Sequence, residues 1–203
     1  MTVTAVYLVR HAHAVWTPDE NRPLSARGAR DAQRVAELLC APARAPAADT
    51  VVGVYASSAR RAQQTVAPLA ARLGLPLHVS PALDERRLAG RPVEAFDAAV
   101  RATWADFRFA HPGGESNAAA QARGLALVRD LCTRHPGARI VLGTHGNLLA
   151  LIVHGVLPAY GYAFWRSLTM PDVYRLDLPA AADRRAQAPG LTRLWRARPV
   201  ENH

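Results

Sequence analysis

The chain has 203 residues, half of them hydrophobic and a fifth charged, a balance expected of one globular domain with its own core. Its 25 basic residues outnumber 16 acidic ones for a formal net charge of +9, and every basic residue is arginine. The lack of lysine excludes a pyridoxal Schiff base, a Walker A phosphate lysine and a Ser–Lys dyad, whereas arginine leaves bidentate phosphate recognition open. Cys40 and Cys132 are too few for a disulfide framework or a four-cysteine zinc site, and both are expected to be inert thiols. Residues 1–10 lack a basic stretch followed by a long apolar run, so no signal peptide is expected. The best apolar run, Leu148 to Val153, falls far short of the ~18 residues of a membrane helix. The expected address is the cytoplasm, with no membrane partner.

Residues 3–9 (Val-Thr-Ala-Val-Tyr-Leu-Val) form an apolar, β-rich run expected of a strand buried on both faces. A loop punctuated by Pro18 and Pro23 follows, and Ser25 is placed to cap a helix whose apolar positions are Ala32, Val35, Ala36 and Leu39. The Ala/Pro stretch 41–48 reads as a connection. Val51–Ala56 is a second buried strand, and Ala62, Val66, Leu69 and Leu73 mark the next helix, which Pro68 is expected to kink. Leu77–Val79 is a short strand. Residues 84–115 read as a helical excursion closing over something, with Phe96, Trp104, Phe107 and Phe109 as its packing. Ser116 caps a helix with Ala118, Ala122, Leu125, Val128 and Cys132 on one face. Arg139–Thr144 is a third buried strand, leading to a helix over Leu148–Val156, and Val173–Leu178 and Leu191–Trp195 are late strands. Such alternation predicts a single α/β domain over 1–203, with a mostly parallel central sheet flanked by helices on both faces and a helical lid.

In open α/β sheets ligands bind beyond the carboxyl ends of the strands. Those ends carry Arg10-His11, then Ser57-Ser58-Ala59-Arg60-Arg61, then His145-Gly146, so two histidines and several arginines converge on one edge. Arginines there can hold a dianion, and a histidine can attack it or move protons. Of the adjacent pair, Arg61 flanks the buried stripe that starts at Ala62, while Arg60 lies about 200° from it and reads as a solvated charge.

Together these segments resemble the motifs of the histidine phosphatase superfamily, the phosphoglycerate-mutase-like enzymes. Val6 to Ala12 is similar to the first motif, Ser57 to Thr65 to the second and Leu83-Asp84-Glu85-Arg86 to the acidic one. Pro112 to Ser116 and Thr144-His145-Gly146-Asn147 complete the series in the family's order, over about residues 3–178. The resemblance implies His11 as nucleophile and transient phosphohistidine. It implies Arg10, Arg61 and His145 as phosphoryl ligands, His145 also serving in catalysis, and Glu85 as proton donor and then acceptor. It implies no cofactor and no metal, since arginines would neutralise the charge that magnesium meets elsewhere. Ala12 replaces the family's usual glycine, His13 a frequent glutamate, and Thr17 an asparagine that touches phosphate in many members. Thr17, His111 and Asn147 are further candidate substrate contacts.

Asp84 is the competitor for the role of Glu85. His11 and His13 make a metal pair only on paper, because no aspartate follows at suitable spacing. His78, His135, His154 and His203 read as surface or packing residues, and Gly113-Gly114 as a loop feature. The net charge raises nucleic-acid binding, but the arginines are scattered, and the basic segment 180–203 reads as a solvated edge. The expectation is therefore a metal-independent phosphatase acting on a small phosphorylated metabolite, as monomer or homodimer, with no nucleic-acid partner. The alternatives are a phosphoglycerate-type mutase and a catalytically silent phosphate-binding or interaction module.

Overall fold

A computed structural model describes residues 2–17, 21–40, 50–180, 183 and 187–196. The connection 41–48, His203 and half of the basic C-terminal segment 180–203 lie outside the described residues. Six strands make one sheet: β1 (Val3–Arg10), β2 (Val51–Ala56), β3 (Leu77–Val79), β4 (Arg139–Thr144), β5 (Asp172–Pro179) and β6 (Gly190–Arg193). Their order is β3-β2-β4-β1-β5-β6. β3, β2, β4 and β1 run parallel, and β5 and β6 each pair antiparallel to their neighbour. The fold is thus a single-domain α/β architecture with a mixed, mostly parallel sheet.

The apolar runs of the strands follow from burial on both faces. Val6 and Leu8 of β1 enter one core with α4 (Asn117–Arg134) and α5 (Gly146–Val156). Ala5, Tyr7 and Val9 enter the other, with α1 (Ala26–Leu39) and α2 (Arg60–Leu73). Ser25 and Ser116 cap α1 and α4, accepting from Gly28 N and Ala119 N at 3.1 and 3.2 Å. The expected stripe of α1 is buried in full. α5 has Leu148 to Val153 entirely enclosed, as a helix apolar all round must be. Its five large aliphatic side chains are each worth about 1.5–3 kcal/mol of burial, which makes α5 a firm platform for whatever its first turn carries.

Several expectations need correction. In α4 the buried positions are Asn117, Ala120, Gly124, Leu125, Val128 and Leu131, while Ala122 is exposed and Cys132 half-buried. The excursion 84–115 is helical only at α3 (Phe96–Ala105), the remainder being turns and extended chain. Trp104 and Phe107 pack against the core, but Phe96 and Phe109 are exposed. A short helix, α6 (Tyr162–Ser167), was not foreseen, and β6 ends at Arg193 rather than Trp195. Ala12 needs no left-handed backbone, since no described residue other than glycine has a positive φ. Among the described residues no helix is long and apolar enough to cross a membrane.

Candidate active site

The parallel strands β1, β2 and β4 deliver Arg10-His11, Ser57 and Thr144-His145 to one sheet edge. The rings of His11 and His145 face each other edge to face, their centroids 5.1 Å apart. Arg61, in the first turn of α2, lies between them, donating from Nε to His11 Nε2 and from Nη2 to His145 Nδ1, both at 3.3 Å. A guanidinium can only donate, so these contacts fix both tautomers. His11 Nε2 carries a lone pair, and its Nδ1–H donates to the Ala12 carbonyl at 2.8 Å. His145 accepts at Nδ1 and donates from Nε2 to Ser57 Oγ at 2.8 Å. Ser57 is fully buried and also accepts from Ala59 N at 3.2 Å. The sequence contained Ser57 within a motif, but no periodicity marks it as the residue that orients His145.

Both imidazoles are held neutral. Burial, reinforced by Arg61, Arg10 and Arg22, pushes His11 down from 6.5 to about 3, against the Ala12 hydrogen bond. Burial, His11 and the same Arg61 and Arg10 hold His145 well below its ordinary value. Between pH 6.5 and about 3 the unfolded chain therefore binds protons that the folded one refuses. Stability should fall as pH falls across that window, by up to about 1.4 kcal/mol per pH unit for each histidine. His11→Asn removes one of these groups, so its urea midpoint should decline less than that of the wild type between pH 7 and 4. Parallel declines would contradict a buried, neutral His11.

Arg10 crosses the start of α5, where a Cβ on Gly146 would stand 3.1 Å from its Cζ and Nε. Its Nη1 donates to Leu168 O and Thr169 O at 2.9 and 3.3 Å. That segment is held by buried Asp172, which pairs with Arg193 at 3.0 and 2.7 Å. The Nε atoms of Arg10 and Arg22 are buried without a protein partner, although buried donors are nearly always satisfied. Arg22, Asp172 and Arg193 escaped the sequence reading because they lie on turns and late strands that carry no motif. Both cations, Arg10 and Arg22, act on the neutral His11, lowering its pKa.

Glu85 accepts from Arg86 N and Leu148 N at Oε1 (2.9 and 3.0 Å) and from Asn147 N at Oε2 (3.0 Å). It thus sits against the first turn of α5, held there by the backbone. Asp84 has both oxygens engaged by Ser58, at 2.7 Å to N and 2.6 Å to Oγ, and anchors the β2–α2 turn. Asn147 reaches the site through its backbone; its buried amide accepts from Trp104 Nε1 at 3.1 Å and donates to Asn117 Oδ1 at 3.3 Å. His111 Nε2 pairs with Ala99 O at 2.9 Å, tying its turn to α3. Thr17 lies half-buried on the segment after β1, and Arg60 is exposed. Arg61, Glu85 and His145 line a cleft of about 1000 Å³. Among the described residues, no three of His, Cys, Asp and Glu gather as a metal site.

The profile of the Histidine phosphatase superfamily (branch 1) matches residues 6–178. The fold is similar to that of a mycobacterial glucosyl-3-phosphoglycerate phosphatase, with 24% identity, TM-score 0.75, and coverage of 97% of this chain and 100% of that one. A phosphoserine phosphatase variant from Entamoeba histolytica, solved with phosphoserine, shares 17% identity and a TM-score of 0.73 over 94% and 96% of the two chains. YhfR from Bacillus stearothermophilus follows with 21% identity and a TM-score of 0.68 over 87% and 92%. No curated protein sequence gives a significant match.

Proposed function

Because this chain belongs to branch 1 of the histidine phosphatase superfamily, we propose that it hydrolyses phosphate monoesters without a metal, through a phosphohistidine on His11. The observation that carries this reading is the lone pair on His11 Nε2, held by the Ala12 contact and aimed into a cluster of arginines. Nε2 attacks phosphorus and the P–O ester bond breaks, while Glu85 gives its proton to the leaving oxygen. Water then attacks phosphorus, the P–N bond breaks, and the Glu85 carboxylate takes the water's proton. Arg10, Arg22 and Arg61 meet the phosphoryl charge, with His145 beside them oriented by Ser57. Phosphoryl transfer of this loose kind asks mainly for positioning and charge stabilisation. Small phosphorylated metabolites are the substrates that suit such a recessed centre.

Phosphate release from a panel of monoesters in EDTA tests the proposal, and turnover that survives chelation is the expected result. Absence of release from any ester would overturn it in favour of a mutase or a silent binding module. Glu85→Gln should lower kcat by about 10²–10⁴-fold for alkyl phosphates, the usual span for a lost general acid. The loss should be much smaller for p-nitrophenyl phosphate, whose leaving group needs no proton. Asp84→Asn should not show that leaving-group dependence; if it did and Glu85→Gln did not, the roles of the two carboxylates would be exchanged.

A further inference from the structure

Arg10 carries its charge on a long, rotatable side chain, and such a group serves a reaction best when it is held in place beforehand. Its grip is a pair of backbone carbonyls, Leu168 O and Thr169 O, at 2.9 and 3.3 Å from Nη1. Both belong to the irregular turn between α6 and β5, which has no ladder of its own to aim them. The turn is fixed from outside. Asp172, wholly buried, accepts from Thr169 N at 2.8 Å and from Val173 N at 3.1 Å. Arg193 of β6 meets both carboxylate oxygens, from Nε at 3.0 Å and from Nη2 at 2.7 Å. The same Nη2 donates to Thr169 Oγ1 at 3.1 Å, and that hydroxyl donates to Pro171 O at 2.8 Å. With its N–H and its hydroxyl both taken, Thr169 has its carbonyl set towards Arg10.

Strand register brings the three charged residues together. Asp172 stands opposite Arg10 in the β1–β5 ladder, and Arg193 stands opposite Tyr174 in the β5–β6 ladder. The chain just beyond Arg193 is pinned as well, since Leu194 N donates to Val173 O at 2.8 Å and Trp195 is buried. Arg193 lies past residue 178, where the match to the family profile ends, so the fork comes from a strand outside the shared motifs. Fork-to-fork pairing of a guanidinium with a carboxylate fixes geometry as well as supplying energy. A buried ion pair adds little net stability over apolar residues of the same volume, so stability alone is a poor account of this one. Its reach to Thr169 gives it a use.

We propose that Arg193, acting with Asp172, is a positioning residue that clamps the turn 168–171 and so sets the guanidinium of Arg10 for the phosphoryl group. This rests on the phosphatase reading, in which Arg10 is a phosphoryl ligand. The test is a double-mutant cycle between Arg10→Gln and Arg193→Gln, read as kcat/KM for p-nitrophenyl phosphate and as the Kd of inorganic phosphate. In the wild-type background Arg193→Gln should worsen both by about 10- to 100-fold, the cost of misplacing one charge-assisted contact. In the Arg10→Gln background it should change either by less than about threefold, because the side chain that it acts through is gone. A merely structural pair would lower the melting temperature and act alike in both backgrounds. Arg193→Lys leaves a cation on buried Asp172 and takes the place of Arg193→Gln in the cycle if that variant does not fold. One ammonium nitrogen cannot reproduce the fork, so its loss should exceed about threefold and again vanish beside Arg10→Gln. No loss in the wild-type background, or an equal loss in both, overturns the clamp. Wild type that binds inorganic phosphate but does not turn over p-nitrophenyl phosphate would overturn the phosphatase reading instead, with the cycle in Kd still deciding the clamp. Absence of phosphate binding would overturn both.

Discussion

His11→Asn should lower kcat by at least about 10⁴-fold, the scale on which loss of a catalytic nucleophile is felt. Asparagine approximates the volume of the ring near the backbone but offers no basic nitrogen, so no phosphoenzyme can form. The guanidiniums of Arg10 and Arg61 keep contacts that do not involve the His11 imidazole. Arg10 is anchored on Leu168 O and Thr169 O, and Arg61 retains its contact with His145. Inorganic phosphate should therefore still bind, with a Kd within a few-fold of wild type, and should still raise the melting temperature of the variant. A ligand at about 100 times its Kd stabilises the folded state by about 2.7 kcal/mol. Loss of turnover with binding retained separates a nucleophile from a merely structural histidine. If activity survived the substitution, a different nucleophile or a directly activated water would have to carry the reaction.

Arg61→Ala should cost about 10³–10⁵-fold in kcat/KM, the worth of a single arginine in stabilising a transferring phosphoryl group. The expected loss is large because one side chain serves two histidines. Its Nε and Nη2 contacts at 3.3 Å are long for N–H donors and would give way to a phosphoryl oxygen. Removing it also lifts one of the cations that hold His11 and His145 neutral. Lysine at the same position restores charge but not the planar fork that reaches both rings, so Arg61→Lys should recover only part of the loss. Arg60→Ala, one position away and exposed, should change kcat/KM by less than about threefold. Equal effects at the two arginines, read from steady-state kinetics, would remove the distinction between them.

The centre of this site was legible in the sequence because a parallel sheet forces strand ends to one edge. Once β1, β2 and β4 were read as buried strands, Arg10-His11, Arg61 and His145 had to converge. What surrounds them was less legible, for reasons particular to each residue. Ser57 acts through a hydrogen bond to a ring 88 positions away, and no local pattern encodes such a pairing. Arg22 belongs to an irregular turn, where periodicity carries no information. In α4 the expected stripe drifted because Asn117 and Gly124 are buried: one hydrogen-bonds Thr103 O at 2.9 Å, and a Cβ on the other would stand 2.9 Å from Ile152. Hydrophobic patterning discounts residues of both kinds. The excursion 84–115, read as a helical lid, supplies part of the cleft lining but is helical only at α3, with backbone contacts between Gly90 and Gly113 in its shape.

The lid wall is joined to the centre by a buried polar chain. Trp104 of α3 donates to Asn147, whose own N–H holds Glu85, and Asn117 links Asn147 to Thr103. Buried networks of this kind, when fully satisfied, rigidify the elements that they join. Glu85 and the outer wall are thereby held in one frame, while His11 is held in another built from β1 and α2.

The most direct test of the account is to trap the phosphoenzyme. Wild type mixed with a turned-over monoester, quenched within one turnover under alkaline conditions and digested, should yield a peptide phosphorylated at His11. The label should be lost on brief acid treatment and absent from His11→Asn. Phosphate release with no label on His11 at any time in the first turnover, or a label on another residue, would contradict a phosphohistidine mechanism.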